Sequence, residues 1–204
     1  MLLKMLDRLE ETLVAVLIAA ATLLIFVAVV HRYGTSGAIS LAQWGKAHGQ
    51  LWLFEAGRTA FDWLRQVNLT FAQELCIYMF IWMAKFGAAY GVRTGIHVGV
   101  DVAVQRLSPA ARRPVVLGAL LAGALFTGIV GALGARFVWN IGHTDQVSAD
   151  MEVPMWLVYL AIPLGSWLMC FRFLQVAVGF VRTGAVPVHD HGHVEGLEDA
   201  AGAA

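Results

Sequence analysis

Four long apolar runs constrain this chain more than any other feature of its sequence. Residues 13–30, 115–135 and 153–171 contain no charged side chain, and residues 69–92 are interrupted only by Glu74 and Lys85. A helix that crosses the hydrocarbon core of a membrane needs about 20 mostly apolar residues. The sequence therefore predicts an all-α membrane protein. Its four transmembrane helices are expected at about residues 13–32, 69–92, 115–138 and 153–178.

The composition supports a membrane protein and excludes several soluble classes. Hydrophobic residues make up 59% of the 204 residues and charged residues only 14%, too few to cover a water-exposed surface of this size. The 14 basic and 14 acidic residues cancel, which argues against binding nucleic acid. High hydrophobicity argues against intrinsic disorder. The two cysteines lie within apolar runs, so neither a disulfide scaffold nor a thiolate metal site is expected.

The distribution of basic residues predicts the orientation. The first apolar run is too long for a cleaved signal peptide, and His31-Arg32-Tyr33 follows it as an interfacial anchor. Four spans place the N-terminus, second loop and C-terminus on one side, which then carries Lys4, Arg8, Arg93, Arg106, Arg112, Arg113 and Arg182. The other side carries Arg32, Lys46, Arg58 and Arg65. Since basic loops stay inside, both termini are predicted to be cytoplasmic.

The long first loop contains a further helical pattern at about residues 50–66. Leu53, Phe54, Phe61 and Leu64 lie on one side of the helix, opposite a charged stripe, and Trp52 and Trp63 add aromatic anchors. This pattern favours an amphipathic helix lying in the membrane interface, in contact with lipid. The alternative is a helix packed on a soluble partner.

Glu74 and Lys85 are the two charged residues inside the second predicted span, and both are candidate subunit contacts. Eleven residues separate them, roughly 16 Å along a helix, so they cannot pair with each other. For Glu74, a contact with another helix and a simple interfacial position are both open. For Lys85 the sequence favours a partner, because reaching the interface from mid-membrane is costly.

A second set of candidate contacts lies at the cytoplasmic end of the same span. Gly87, Gly91 and Gly95 recur at a spacing of four, which allows another helix to approach closely. The third span has a comparable small-residue face, and packing inside the bundle is expected to account for at least one of the two. Arg93, His97 and Asp101 also recur at a spacing of four and favour an ion pair, a helix cap or a subunit contact over a metal site.

Neither an enzyme nor a cofactor is expected. His31, His97 and His143 fall at helix ends or in loops, which does not suit a haem bundle, and no phosphate loop, serine triad or zinc motif occurs. The segment 183–204 is polar and acidic and is predicted to be a disordered cytoplasmic tail. Its three histidines could bind a metal ion, but a solvated tail is favoured.

Several segments, in order along the chain, resemble one family. His31-Arg32-Tyr33 ends the first helix, Glu74 opens the second, and residues 153–159 and 163–165 lie in the fourth. The most recognisable segment reads Phe-Gly-Ala-Ala-Tyr-Gly-Val-Arg-Thr-Gly-Ile-His-Val-Gly-Val-Asp at 86–101. Together they resemble the small membrane subunit of TRAP transporters, the DctQ-type family of tripartite ATP-independent periplasmic transporters, over about residues 1–182.

The resemblance implies a non-catalytic subunit that braces a large permease subunit in a bacterial inner membrane. That large subunit would carry the substrate and sodium sites, and a periplasmic binding protein would deliver an organic acid. The long first loop is similar to the subgroup that transports C4-dicarboxylates. Two departures are a single acid before the second helix, in Thr70-Phe-Ala-Gln-Glu74, and Lys85 where an apolar residue is expected. The alternatives are a stand-alone membrane redox or enzyme component and a scaffold subunit of another complex.

Overall fold

The computed structural model describes residues 2–95 and 108–184, and these are helical apart from short connections. The helices are α1 (Leu2–Ala47), α2 (Leu51–Arg65), α3 (Phe71–Thr94), α4 (Pro109–Gly142), α5 (Met155–Tyr159) and α6 (Ala161–Thr183). By length and composition, four stretches could cross a membrane: Met5–Ala47, Phe71–Thr94, Ala111–Gly142 and Met155–Thr183. The predicted all-α membrane fold with four spans is confirmed.

α1 continues well beyond residue 32, where the first span was predicted to end. No proline interrupts it, and the hydroxyls of Thr35 and Ser40 donate to the carbonyls of His31 and Ser36 one turn earlier. A helix of 46 residues is roughly 69 Å long, more than twice the hydrocarbon thickness of about 30 Å. The His31-Arg32-Tyr33 anchor therefore marks a change from apolar to polar surface, and the helix itself does not end there.

α2 folds back along the second half of α1 and forms a helical hairpin with it. Gly49 adopts φ +68° in the turn, a conformation that favours glycine. At Gly57 the backbones approach so closely that a Cβ atom would lie 2.6 Å from the Ala42 nitrogen. His31 Nε2 lies 2.9 Å from the Leu64 carbonyl oxygen and joins the two helices near the open end. The predicted first loop is thus largely helical.

The chain divides into two compact units, each described by itself. The first contains α1, α2, α3 as far as Lys85, and Arg136–Ala161. Within it, α3 packs on α1 through small buried residues, and the Cys76 thiol donates to the Ala21 carbonyl over 3.8 Å.

The second unit begins at Phe86 and includes α4 up to Ala135 and α6. Its α4 presents glycines to bulky side chains of α6. A Cβ atom at Gly123 would lie 2.9 Å from the Phe173 ring, and one at Gly131 would overlap the Trp167 indole. The small-residue face predicted on the third span is therefore used, at least in part, for packing inside the chain.

The last span is interrupted near its start. α5 ends at Tyr159 and α6 begins at Ala161, with Leu160 between them. Pro163 has no N–H to donate to the carbonyl one turn earlier, which weakens the helix at this point. The interruption at Leu160 lies three residues before Pro163.

Candidate functional site

Glu74 fastens the connection between α4 and α5. Its carboxylate oxygens accept hydrogen bonds from the backbone amides of Ala149, Asp150 and Met151 over 3.2, 2.8 and 2.9 Å. The Tyr78 hydroxyl, one turn along α3, also donates to this carboxylate. The connection is tied further by a bridge between Val147 and Pro154. We call Glu74 with its four donors the Glu74 clasp.

The clasp gives Glu74 a role inside the chain that its sequence position did not reveal. Its donors at 149–151 lie 75 to 77 residues further along the chain, so no local sequence pattern indicates them. The clasp holds an exposed connection that carries Asp145, Asp150 and Glu152 and no basic residue. The predicted contact of Glu74 with another subunit stays a prediction.

Lys85 lies near the middle of α3 and is half-buried. Across residues 2–95 and 108–184, no hydrogen bond or ion pair is recorded for its ammonium group. A lysine at this depth needs a carboxylate, carbonyl oxygens or water. Its surroundings in the chain thus leave room for the partner that the sequence favoured.

The three glycines predicted as a close-contact stripe differ in their surroundings. Gly91 borders open space, because a Cβ atom there would meet no other atom of the described residues within 4 Å. Gly87 is half-buried. Gly95 follows the last residue of α3 with φ +76°, and this helix-ending turn alone accounts for a glycine at that position.

Gly91, which is half-buried, continues a row of exposed residues along α3. Ile77 and Phe80 are about half exposed, and Ala84 and Ala88 are exposed between them and Gly91. These five residues recur at helical spacing, so they line one side of the helix. We call them the α3 outer face. It changes from bulky residues at its start to small residues at its end, a surface to which another helix can pack closely.

The charged group at the end of α3 is described only in part. The Arg93 guanidinium lies over the Tyr90 ring at 5.0 Å from its centroid, and the Thr94 hydroxyl donates to the Tyr90 carbonyl over 3.1 Å. His97 and Asp101, predicted as contacts on the same face, lie outside the described residues. The predicted tail also lies outside them from residue 185 onward.

The aromatic residues of α2 fall into two groups. Phe54 and Phe61 are half-buried on the side of α2 that faces α1. Trp52 and Trp63 are each 66% exposed and point away from the hairpin. The apolar side that was predicted to meet lipid is thus shared with α1, while the two indoles are free to contact lipid.

Sequence reasoning missed two buried charges, which lie in different units. Glu10 and Arg172 are both 0% exposed. The Arg172 guanidinium donates to the Gln175 side chain over 2.7 Å and lies 5.9 Å from the Phe171 ring. Each residue lies close to the end of an apolar run, where a charge is easily taken for an interfacial one. Among the described residues, no group of three or more His, Cys, Asp or Glu could hold a metal ion.

Comparisons with known proteins identify one family. Residues 57–183 match the family described as "Tripartite ATP-independent periplasmic transporters, DctQ component". A "C4-dicarboxylate TRAP transporter small permease protein DctQ" of Rhodobacter capsulatus is 57% identical, over 97% of this chain and 87% of the relative. A protein of the same name from Vibrio cholerae is 29% identical, over 84% of this chain and 70% of the relative. No solved structure matches.

The family match covers more than half of the chain and includes α3, α4 and α6 entirely. The first relative extends the similarity over nearly the whole length, including α1. Together with the four apolar helices, these findings show a multi-pass membrane protein. The chain belongs to the DctQ family, the small permease component of tripartite ATP-independent periplasmic transporters.

Proposed function

We propose that this chain is a non-catalytic subunit that braces a large permease subunit for uptake driven by an ion gradient. The observation that carries the proposal is the α3 outer face, whose small residues end at the open space around Gly91. Small residues let helices approach closely, and such packing drives association within lipid. The half-buried Lys85 on the same helix adds a polar group that a partner's carboxylate or carbonyl oxygen can bind.

The transported class follows from the relatives. Both are named as small permease proteins of C4-dicarboxylate transporters. We propose the same substrate class for the transporter to which this chain belongs, with the substrate delivered by a periplasmic binding protein. We further propose an inner-membrane location, since the substrate is delivered from the periplasm. Both termini are proposed to be cytoplasmic, because the side that holds them carries more basic residues than the other side.

The bracing role is tested by copurification. The tagged chain is produced together with the large permease subunit encoded by its own organism, and both are recovered in mild detergent. Gly91→Leu is expected to lower the recovered large subunit about tenfold, because bulk at a close contact costs about 1–3 kcal/mol. The matched control is Gly118→Leu on α4, where a Cβ atom also meets nothing within 4 Å.

The outcomes of that experiment are distinct. Loss of the large subunit with Gly91→Leu and retention with Gly118→Leu support the α3 outer face as the contact surface. Equal recovery with both variants and the unaltered chain contradicts that assignment. Failure of the unaltered chain to bring down any larger multispanning protein contradicts the bracing role itself.

A further inference from the structure

An open cavity of about 650 Å³ lies in the first unit, beside the place where α1 changes from apolar to polar. Its wall comes from the middle of α1, the end of α2, the connection 66–70 and the first turn of α3. Its volume falls within the range of about 300–1,000 Å³ that is typical of ligand sites. No residue assigned above to a subunit contact lines it.

The polar part of the cavity is positively charged. Arg32 of α1 and Arg65 of α2 line it, and no aspartate or glutamate does. Within the described part of the chain, no ion pair is recorded for either guanidinium. Asn68 and Thr70 line it as well, and the Asn68 side-chain oxygen accepts from both the amide and the hydroxyl of Thr70. Two arginines without a carboxylate among them favour an oxyanion.

Another part of the cavity wall is apolar. Ile25, Ala28 and Val29 line it from the apolar run of α1, less than two turns before Arg32. A free anion makes no favourable contact with apolar side chains, whereas an acyl chain attached to the anion packs against them. Along α1 the apolar residues come first and the cationic Arg32 follows. A phospholipid presents its acyl chains and then its phosphate in the same order, from the membrane interior outward.

We propose that this cavity binds one anionic phospholipid. Arg32 and Arg65 bind its phosphate, and one acyl chain lies along Ile25, Ala28 and Val29. Because Arg65 belongs to α2 and Arg32 to α1, the bound phosphate bridges the two helices of the hairpin near the His31 to Leu64 contact. The lipid then stabilises the hairpin at its open end, a role that does not depend on the transported substrate.

The test uses the purified chain in complex with its permease partner, after its lipids have been exchanged for detergent. Phosphatidylglycerol is added back and bound lipid is counted by native mass spectrometry. The double variant Arg32→Gln with Arg65→Gln is expected to lower phosphatidylglycerol affinity about 25-fold, since one basic side chain facing anionic lipid contributes about fivefold. Arg58→Gln, also on α2 but not lining the cavity and already paired with Asp62, is expected to retain full binding.

Further arms separate the sources of the anion. Glycerol phosphate, which has the headgroup chemistry without acyl chains, is expected to compete weakly. Equal affinity for glycerol phosphate and phosphatidylglycerol would overturn the lipid assignment. If the double variant does not fold, a photoactivatable phosphatidylglycerol on the unaltered chain decides. Crosslinks within residues 25–36 support the site, and crosslinks confined to other segments overturn it, as does equal lipid affinity of the unaltered chain and the double variant.

Discussion

Glu74→Ala removes the acceptor that holds the connection between α4 and α5. Three backbone amides, at residues 149, 150 and 151, then lose their protein partner. A hydrogen bond to a charged group is stronger than one between neutral groups. Because water replaces part of the loss at this exposed connection, we expect the opening equilibrium of the connection to rise roughly tenfold.

Hydrogen exchange of the purified protein measures this opening directly, because exchange of these amides follows local opening. Peptides covering residues 146–153 are expected to exchange about tenfold faster in Glu74→Ala. Glu74→Gln keeps one acceptor oxygen, so an intermediate increase is expected. The matched control is Glu55→Ala, which removes an exposed carboxylate from α2.

Equal exchange in the unaltered chain and in Glu74→Ala would refute the clasp as the feature that orders this connection. A general increase across α1, α3 and α4 would also contradict the reasoning, since the expected change is confined to one connection. The control variant must leave peptides 146–153 unchanged, because Glu55 is not among the recorded contacts of this connection within the described residues.

Three further substitutions test the packing and the mid-span charge. Gly57→Val is expected to separate the hairpin helices and speed trypsin cleavage within α2, because the valine side chain would meet the backbone of α1. The control Gly37→Val, whose side chain lies in open space, should have neither effect. Gly131→Ala should lower the midpoint of thermal unfolding in detergent, because the added Cβ atom overlaps an indole ring on α6. The control Gly118→Ala should leave this midpoint unchanged or raise it. Equal effects within either pair would contradict these contacts. Lys85→Met should leave the stability of the isolated chain unchanged and lower recovery of the complex; the opposite pattern would place its partner inside the chain.

The spans themselves could be predicted from the sequence because apolar length is a strong and local signal. α3 was expected at residues 69–92 and runs from Phe71 to Thr94. α4 begins at Pro109 and its apolar run begins at residue 115, because Pro109 to Pro114 is polar enough to lie outside the apolar run yet compatible with the first turns of a helix. Hydropathy indicates which residues suit the membrane interior, and the helices continue beyond the ends of those apolar runs.

The hairpin and the clasp could not be predicted because both depend on distant residues. The anchor at His31-Arg32-Tyr33 was interpreted as a helix end, but nothing in that sequence stops a helix. The close approach of Gly57 to Ala42 can be inferred only once α2 is known to fold back on α1. Glu74 was one of two charges in a predicted span, and its donors lie on a connection far along the chain.

Uptake by a reconstituted transporter tests the central claim most directly. Proteoliposomes hold the large permease subunit, with or without this chain, and receive the periplasmic binding protein, an inward ion gradient and labelled succinate. We expect concentrative uptake only when this chain is present, because it braces the large subunit. Undiminished uptake by the large subunit alone would contradict the account.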